Sequence, residues 1–237
     1  IQAEPITKDL NPTYGSIQKL FTRDTNLVTF CEDKVLKIMA DKDMLFNADG
    51  SSQVIASSKV LGQATAYTGD FGTTNPESFA QEAYRLYFTD KQRGKVLRLS
   101  GDGITPISSV GMKDYFGDNL KNYKALIGSF DDKKEEYNLT LKTHFGRNVG
   151  TTVSFSEAAK GWVSFRSFVQ QGGLSMNNEY YTFFKGQMWK HHVNDIRNNF
   201  YDEQYDSYVD VLFNEESGSV KNFGSMNYEG SQARITQ

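Results

Sequence analysis

Two adjacent histidines, His191 and His192, are the first residues whose type suits metal chemistry. Neighbouring side chains of a β-strand point to opposite faces, so both could face one metal ion only across a bulge. The third histidine, His144, lies far away in the sequence, and neither HExxH nor CxxC spacing occurs. The pattern therefore predicts no metal site and favours two strand-end histidines, one packed and one exposed.

Paired carboxylates are the second candidate, because glycosidases hold two of them roughly 5–10 Å apart across a sugar. Neighbouring acidic residues within a polar turn do not suggest that arrangement. The sequence also lacks a GxSxG nucleophile motif, and Cys31 lies in an apolar alternation typical of a small core residue. We therefore predict no catalytic residue and no enzyme. The acidic pairs are Asp131-Asp132, Asp202-Glu203 and Glu215-Glu216.

A glycine-rich stretch, GQATAYTGDFGTTN (Gly62–Asn75), is the only candidate for a phosphate-binding loop. A P-loop needs a lysine and a following helix to hold phosphate, and this stretch has neither. It is interpreted as an exposed loop, and no cofactor or cofactor-binding residue is predicted.

Aromatic side chains leave one binding function open. Trp162, Trp189, Tyr180 and Tyr181 would form stacking platforms in a glycan-binding or host-attachment module. Tryptophans that face inward in a β core are more common, and they would indicate a scaffold. Burial of these rings would distinguish the two interpretations.

Recurrent hairpins are the elements that would carry these residues. Glycine is plentiful, at 20 residues against 4 prolines, and β-branched and aromatic residues dominate the apolar set. Alternation on both sides of a polar turn predicts hairpins in Asn26–Ala40, Tyr84–Ser100 and Glu179–His192, the last turning at Lys185-Gly186. Such repetition favours an antiparallel, mainly β fold that is propeller-like or part of a propeller.

A fourth hairpin, further turns and a little helix complete the prediction. Alternation at Tyr137–Leu141, Val153–Phe155 and Trp162–Phe165 predicts three more strands. Asp-Gly pairs predict turns within Asn47–Gln53 and Ser100–Thr105.

One or two short helices are expected. One begins at Asn75 and Pro76, and the other spans Val110–Lys124 with an interruption at Gly117. The charged run Asp131–Glu136 is interpreted as a solvated turn.

Composition limits the classes of function. The net charge of −3 offers no broad basic field for duplex nucleic acid, and a single cysteine excludes an internal disulfide framework. No apolar run reaches the ~20 residues of a membrane span, and no signal segment opens the chain. We interpret residues 1–237 as a single β-rich region that is a fragment of a longer chain.

Several blocks, in this order, resemble a stretch of large virion structural proteins of tailed bacteriophages, including marine T4-like cyanophages. They include YGSIQKLFTRDTNLVTFCEDKVLKI, YRLYFTDKQRGKVLRLSGDGITPIS, KGWVSFRSF and GLSMNNEYYTFFKGQMWKHH. The resemblance covers nearly the whole chain. A looser similarity in architecture links it to propeller-bearing tail-nozzle and DNA-stabilisation proteins.

The resemblance implies a non-enzymatic component of the tail or neck, made in the host cytoplasm and located in the virion. The implied partners are copies of itself in a symmetric ring and neighbouring tail proteins, with no small-molecule substrate. If the chain lines a passage for DNA, we expect a neutral or mildly acidic lumen. The exposed loops Gly62–Asn75 and Asp195–Asp206 are the expected contact surfaces.

Overall fold

A computed structural model describes residues 7–47, 51–144, 149–212 and 216–225. The chain divides into two compact units, Ile1–Tyr205 and Asp206–Gln237. All strands and helices of the described residues lie in the first unit.

Antiparallel β-strands account for most of the regular structure, as the sequence predicts. One short α-helix, α1, spans Lys113–Asn119. Single turns of 3₁₀ helix lie at Pro12–Tyr14, Pro76–Ser78, Ile107–Ser109 and Leu120–Asn122. The strands are β1 (Ile17–Arg23), β2 (Asn26–Cys31), β3 (Val35–Phe46), β4 (Ser52–Ala66), β5 (Ala80–Glu82), β6 (Arg85–Asp90), β7 (Lys95–Ser100), β8 (Gly103–Pro106), β9 (Ala125–Asp131), β10 (Glu136–Lys142), β11 (Gly150–Ser156), β12 (Gly161–Arg166), β13 (Gly172–Met176), β14 (Glu179–Phe184), β15 (Gln187–Lys190), β16 (Asn199–Phe200) and β17 (Glu203–Gln204).

The strands form consecutive meanders, in which each strand pairs with the next along the chain. The first sheet holds β1–β4, the second β5–β8 and the third β9–β12, and the fourth holds the three strands β13–β15. The predicted hairpins are all present, as β2–β3, β6–β7, β14–β15 and β10–β11–β12. Lys185 and Gly186 have φ of 50° and 75°, the left-handed backbone that a two-residue hairpin turn requires.

Two apolar clusters join the first three sheets. Phe30 of the first sheet packs edge-on against Phe79 and Phe88 at ring distances of 4.7 and 5.1 Å. Tyr87 instead stacks on Tyr137 of the third sheet at 4.8 Å. Because Tyr87 and Phe88 are consecutive in β6, the second sheet is buried on both faces. Alternation alone predicts one buried and one polar face, and for β6 that expectation is wrong.

Close backbone packing fixes the junction of the second and third sheets. The Tyr137 hydroxyl donates a 2.7 Å hydrogen bond to the Ser78 carbonyl. A Cβ placed on Gly128 would lie 2.0 Å from the same carbonyl oxygen, so no larger residue fits without movement. This contact explains why β9 carries a glycine at its centre.

The structure corrects several local predictions. The segment after Asn75 makes one 3₁₀ turn and then strand β5, and α1 runs through Gly117 without interruption. The run Asp131–Glu136 is only partly a solvated turn, because Asp131 is buried at the end of β9. Among the described residues no closed barrel or propeller is present.

Two further segments differ from the sequence-based prediction. The glycine-rich stretch is a loop only after Ala66, where β4 ends, and the loop after His191 contains the short strands β16 and β17. Within Asn47–Gln53, residues 48–50, which hold the Asp-Gly pair, lie outside the described residues. The second Asp-Gly turn joins β7 to β8, with Ser100 paired to Gly103.

Candidate assembly surfaces

Polar side chains fill the junction between the third and fourth sheets. Ser129 of β9 lies 2.6 Å from the Tyr180 hydroxyl of β14, and its own hydroxyl donates to Gln170 Oε1 at 2.9 Å. The Tyr180 hydroxyl also donates to Gln170 at 3.2 Å. All three side chains are buried, and hydrogen bonds offset the cost of removing them from water. A connected network of this kind holds the two sheets in one register.

The two histidines belong to the same junction. His191 Nε2 lies 2.6 Å from Thr182 Oγ1, which is itself 2.8 Å from the Tyr201 hydroxyl. Burial, with the neighbouring His192 as a second cause, lowers the pKa of His191 from 6.5 to about 4. The imidazole is therefore neutral at pH 7, and its Nε2 accepts a hydrogen bond from the Thr182 hydroxyl in one tautomer and donates one to it in the other.

His192 makes a side-chain hydrogen bond with Asp131. Its Nε2 lies 2.6 Å from Asp131 Oδ2, and the Asp131 side chain is almost fully buried. One histidine thus packs inside the junction, and the other connects the segment after β15 to the end of β9. Among the described residues, no group of three or more His, Cys, Asp or Glu side chains is placed to hold a metal ion.

A groove of about 620 Å³ lies beside this junction. Its two carboxylates on the third sheet are both engaged, Asp131 with His192 and Glu136 with Arg166 at 2.8 Å. Asp202 is a third carboxylate in the lining of the groove.

The aromatic residues considered for sugar stacking lie in different parts of the structure. Trp162 packs on Phe116 and Phe155 of the core and donates its indole N–H to the Ile107 carbonyl at 3.1 Å. Tyr180 is fully buried, and Trp189 packs edge-on against a tyrosine of the following loop. These contacts are those of packing residues and do not form one exposed platform for a sugar.

The other residues considered for chemistry are the cysteine, the third histidine and the remaining acidic pairs. Cys31 is fully buried, and burial raises the pKa of its thiol. His144 is exposed and lies 3.1 Å from the hydroxyl of its neighbour Thr143. Asp202 is exposed in the turn between β16 and β17, where Glu203 opens the second strand. Glu216 is exposed in the second unit, and Glu215 lies outside the described residues.

Sequence reasoning missed Glu157, which organises the second and third sheets. Its carboxylate accepts a 2.6 Å hydrogen bond from the Tyr87 hydroxyl and a 2.8 Å hydrogen bond from Arg98. Glu157 follows β11 in an ordinary polar turn, and only the packing of two sheets brings its partners to it. No local sequence signal would have identified it.

Two surfaces expose apolar side chains in numbers that suit protein contact. The first is the distal hairpin, defined as residues 40–46 of β3 and 52–61 of β4. Beyond Met39, β3 pairs within the described sheet only with β4. Leu45 and Ile55 share one face of the distal hairpin and are 49% and 42% exposed, while Val54 is exposed on the other face.

The second surface is the outer face of the fourth sheet, defined by Leu174, Met176, Tyr181, Phe183 and Met188. Strand pairing places these side chains on one side of the sheet, opposite the buried Tyr180 and Thr182. Phe183 and Met188 are cross-strand neighbours and are 37% and 57% exposed. Neither surface includes the loops that sequence reasoning favoured as contact regions.

No helix among the described residues has the length and apolar character needed to cross a membrane. No curated protein matches the chain. A sequence profile of the crassvirus muzzle protein family matches residues 5–186, well over half of the chain. The match supports the resemblance to bacteriophage structural proteins. It does not support a specific resemblance to proteins of T4-like cyanophages. The chain belongs to the crassvirus muzzle protein family, a family of phage virion structural proteins, and its place is in the phage particle.

Proposed function

We propose that the chain is a structural component of the tail or neck of the phage particle. It acts by packing against copies of itself in a symmetric ring and against neighbouring tail proteins. The observation that carries this proposal is the combination of a rigid stack of sheets with two apolar surfaces that the described residues leave uncovered. Exposed apolar patches with polar surroundings are typical of protein contact sites.

The proposed role requires a stiff subunit, and three features supply stiffness. The first three sheets share continuous aromatic packing, and the third and fourth share a buried hydrogen-bond network. The close approach of the backbone at Gly128 leaves little freedom of movement between the second and third sheets. Well-packed interiors transmit strain and resist compression, which suits a wall segment under load.

We further propose that the stacked meanders are blades of an open propeller-like arc. In a propeller, the first strand of each blade lies nearest the axis. The first strands β5, β9 and β13 lie next to one another and together line a groove of about 260 Å³. This placement of the first strands supports a radial arrangement of the second, third and fourth sheets.

We propose that the chain has no enzymatic activity. The Asp131 and Glu136 carboxylates of the groove beside the third and fourth sheets support this, since each holds a side chain of a neighbouring segment in place. The scattered packing roles of Trp162 and Tyr180 favour the scaffold over the glycan-binding alternative. A glycan array and a generic glycosidase assay on the purified chain should both be negative.

Two measurements test the structural role. Mass spectrometry of purified particles should find the chain in a fixed number of copies per particle. The chain should remain bound to the particle after a wash with salt. Light scattering of the isolated chain should show a monomer or weak association, because assembly is completed only in the particle. A chain missing from particles, or one that forms a tight small oligomer alone, would refute the proposal.

A further inference from the structure

We propose that the open edge of β15 accepts residues 206–212 of a second copy as a fourth, antiparallel strand. This inference rests on the proposed role in a symmetric ring and names the strand pairing that would join neighbouring subunits. It goes beyond that role, because a ring could also form without any backbone pairing between copies.

The fourth sheet has one strand fewer than each of the sheets before it. The first three sheets are four-stranded meanders, whereas the fourth ends at its third strand, β15. Within the part of the chain that the structure describes, β15 pairs only with β14. The position that β4, β8 and β12 fill in their own sheets is therefore open beside β15. An open strand edge is a template for pairing with another chain.

The backbone of β15 directs hydrogen-bonding groups to this edge. The His191 N–H bonds to the Tyr180 carbonyl at 2.9 Å. Because antiparallel pairs alternate between bonded and unbonded residues, Met188 and Lys190 turn their backbone N–H and C=O groups away from β14. No backbone hydrogen bond between described residues uses these groups. They are therefore available to an added strand.

Residues 206–212 have the composition of a strand. Their sequence, DSYVDVL, is rich in β-branched and aromatic residues. In the structure these seven residues form neither helix nor strand. Tyr208, Val209 and Leu212 are 79%, 81% and 87% exposed. Addition to a sheet edge would bury apolar surface and satisfy backbone groups in the same step.

One antiparallel register pairs apolar residues with apolar residues and a lysine with a carboxylate. Its cross-strand pairs are Met188 with Leu212, Trp189 with Val211 and Lys190 with Asp210. Apolar pairs and opposite-charge pairs both stabilise neighbouring strands. A shift by one residue would instead place Asp210 opposite Trp189 and leave Lys190 opposite a valine. The residue types therefore favour a single register.

Charge complementarity supports the same pairing. The turn and strand from Lys185 to Lys190 carry two lysines and no acidic residue, whereas residues 206–212 carry Asp206 and Asp210 and no basic residue. Lys190 is paired with Glu179 of β14 on one side, and Asp210 of the added strand would meet it from the other. Opposite charges guide association and disfavour wrong partners.

A second copy of the chain can supply this strand in a repeating contact. The donor segment and the acceptor edge are different parts of one chain, which is the requirement for a heterologous, head-to-tail contact. Such a contact forms a ring whenever its rotation closes. Pairing over so few residues is weak for one contact, but a ring repeats the contact and holds each subunit on two sides.

Cysteine cross-linking tests the register directly, because the native Cys31 is fully buried. One chain carries Met188→Cys and another carries Leu212→Cys, and the two are oxidised in an equimolar mixture at about 1 mM. The proposal predicts a cross-linked dimer. The matched control replaces Leu212→Cys by Val211→Cys, whose side chain would lie on the opposite face of the added strand, and should give less than a tenth of that product.

The double variant, Met188→Cys with Leu212→Cys, distinguishes a second copy from the same chain. Linked dimers and larger species support the proposal, whereas a product that is only an internally linked monomer would overturn it. Equal yields with Leu212→Cys and Val211→Cys, or no product in either mixture, would overturn it as well.

A pair of charge variants tests the contact of Asp210 with Lys190. Asp210→Lys in the Leu212→Cys chain should lower the cross-linking yield by about threefold or more. Asp206→Lys changes the net charge equally but lies beyond the three proposed pairs, so it should leave the yield unchanged. Equal effects of the two variants would contradict the register. Particle mass spectrometry separates the failures, because the structural role survives if the chain is in the particle while this strand pairing is absent.

Discussion

The buried imidazole of His191 predicts a specific loss of stability in mild acid. In the unfolded chain this group takes up its proton near pH 6.5, and in the folded protein only at about pH 4. The folded pKa is lowered, so the contribution of the neutral buried ring is complete above pH 6.5 and is lost as the pH falls towards 4. At about pH 5 the loss is about 2 kcal/mol, obtained from those two pKa values.

The assay is urea unfolding at about pH 7.5 and about pH 5, on the wild-type chain and on His191→Gln. Glutamine keeps a hydrogen-bonding group near Thr182 but does not titrate, so the variant should lose about 2 kcal/mol less than wild type between the two pH values. The control is His144→Gln, which alters an exposed histidine and should keep the wild-type pH dependence.

Parallel loss of stability in wild type and His191→Gln would refute this reasoning. It would mean that the imidazole is hydrated in the folded protein or that the loop after β15 opens before global unfolding. A His144→Gln variant that flattened the pH dependence would be equally damaging, because it would assign the effect to surface charge.

Three further predictions follow from the junction of the sheets and from the core. Gly128→Ala should lower the free energy of unfolding, measured in urea, by about 2 kcal/mol or more, because the new Cβ would meet the Ser78 carbonyl. The control is Gly101→Ala, which has open space around its Cβ and should change the free energy of unfolding by less than about 0.5 kcal/mol. Tyr137→Phe should cost about 1–2 kcal/mol, since it leaves that buried carbonyl without its hydroxyl donor. The Cys31 thiol should react with a thiol reagent only on unfolding, and rapid reaction in native buffer would show that the first sheet opens.

Hairpins were predictable from the sequence because their signals are local. Lys185 and Gly186 occupy a turn that their residue types allow, and the alternation of Tyr137 and Leu139 identifies the core face of β10. A strand's period and its turn residues are properties of fewer than about 15 residues, so they can be recognised without tertiary context.

The burial of the opposite face could not be predicted in this way. Asn138 and Thr140 alternate with the core residues of β10 and have the polar character of a solvent-exposed face, yet both are buried. Their partners, Ser154 at 2.6 Å and Thr152 at 2.6 Å, lie on the adjacent strand β11. Burial here depends on packing of the segment that leads into the fourth sheet, where the Thr152 hydroxyl donates to the Phe168 carbonyl.

The two candidate apolar surfaces could not be recognised in the sequence for a related reason. Polar loops such as Asp195–Asp206 suggest exposure, but exposure of a polar loop says little about contact. Leu45, Ile55 and Phe183 have the residue types of ordinary strand interiors. Only the lengths of β3 and β4 relative to β2, and the position of the fourth sheet at the end of the stack, show that these residues are uncovered.

A density map of the intact phage particle tests the structural role most directly, since it reports position and symmetry together. The expected result is a ring in the tail or neck region, in which each subunit shows the stacked four-stranded sheets and meets its neighbours through protein contacts. A map whose tail and neck are fully accounted for by other chains, with no ring of this fold, would contradict it.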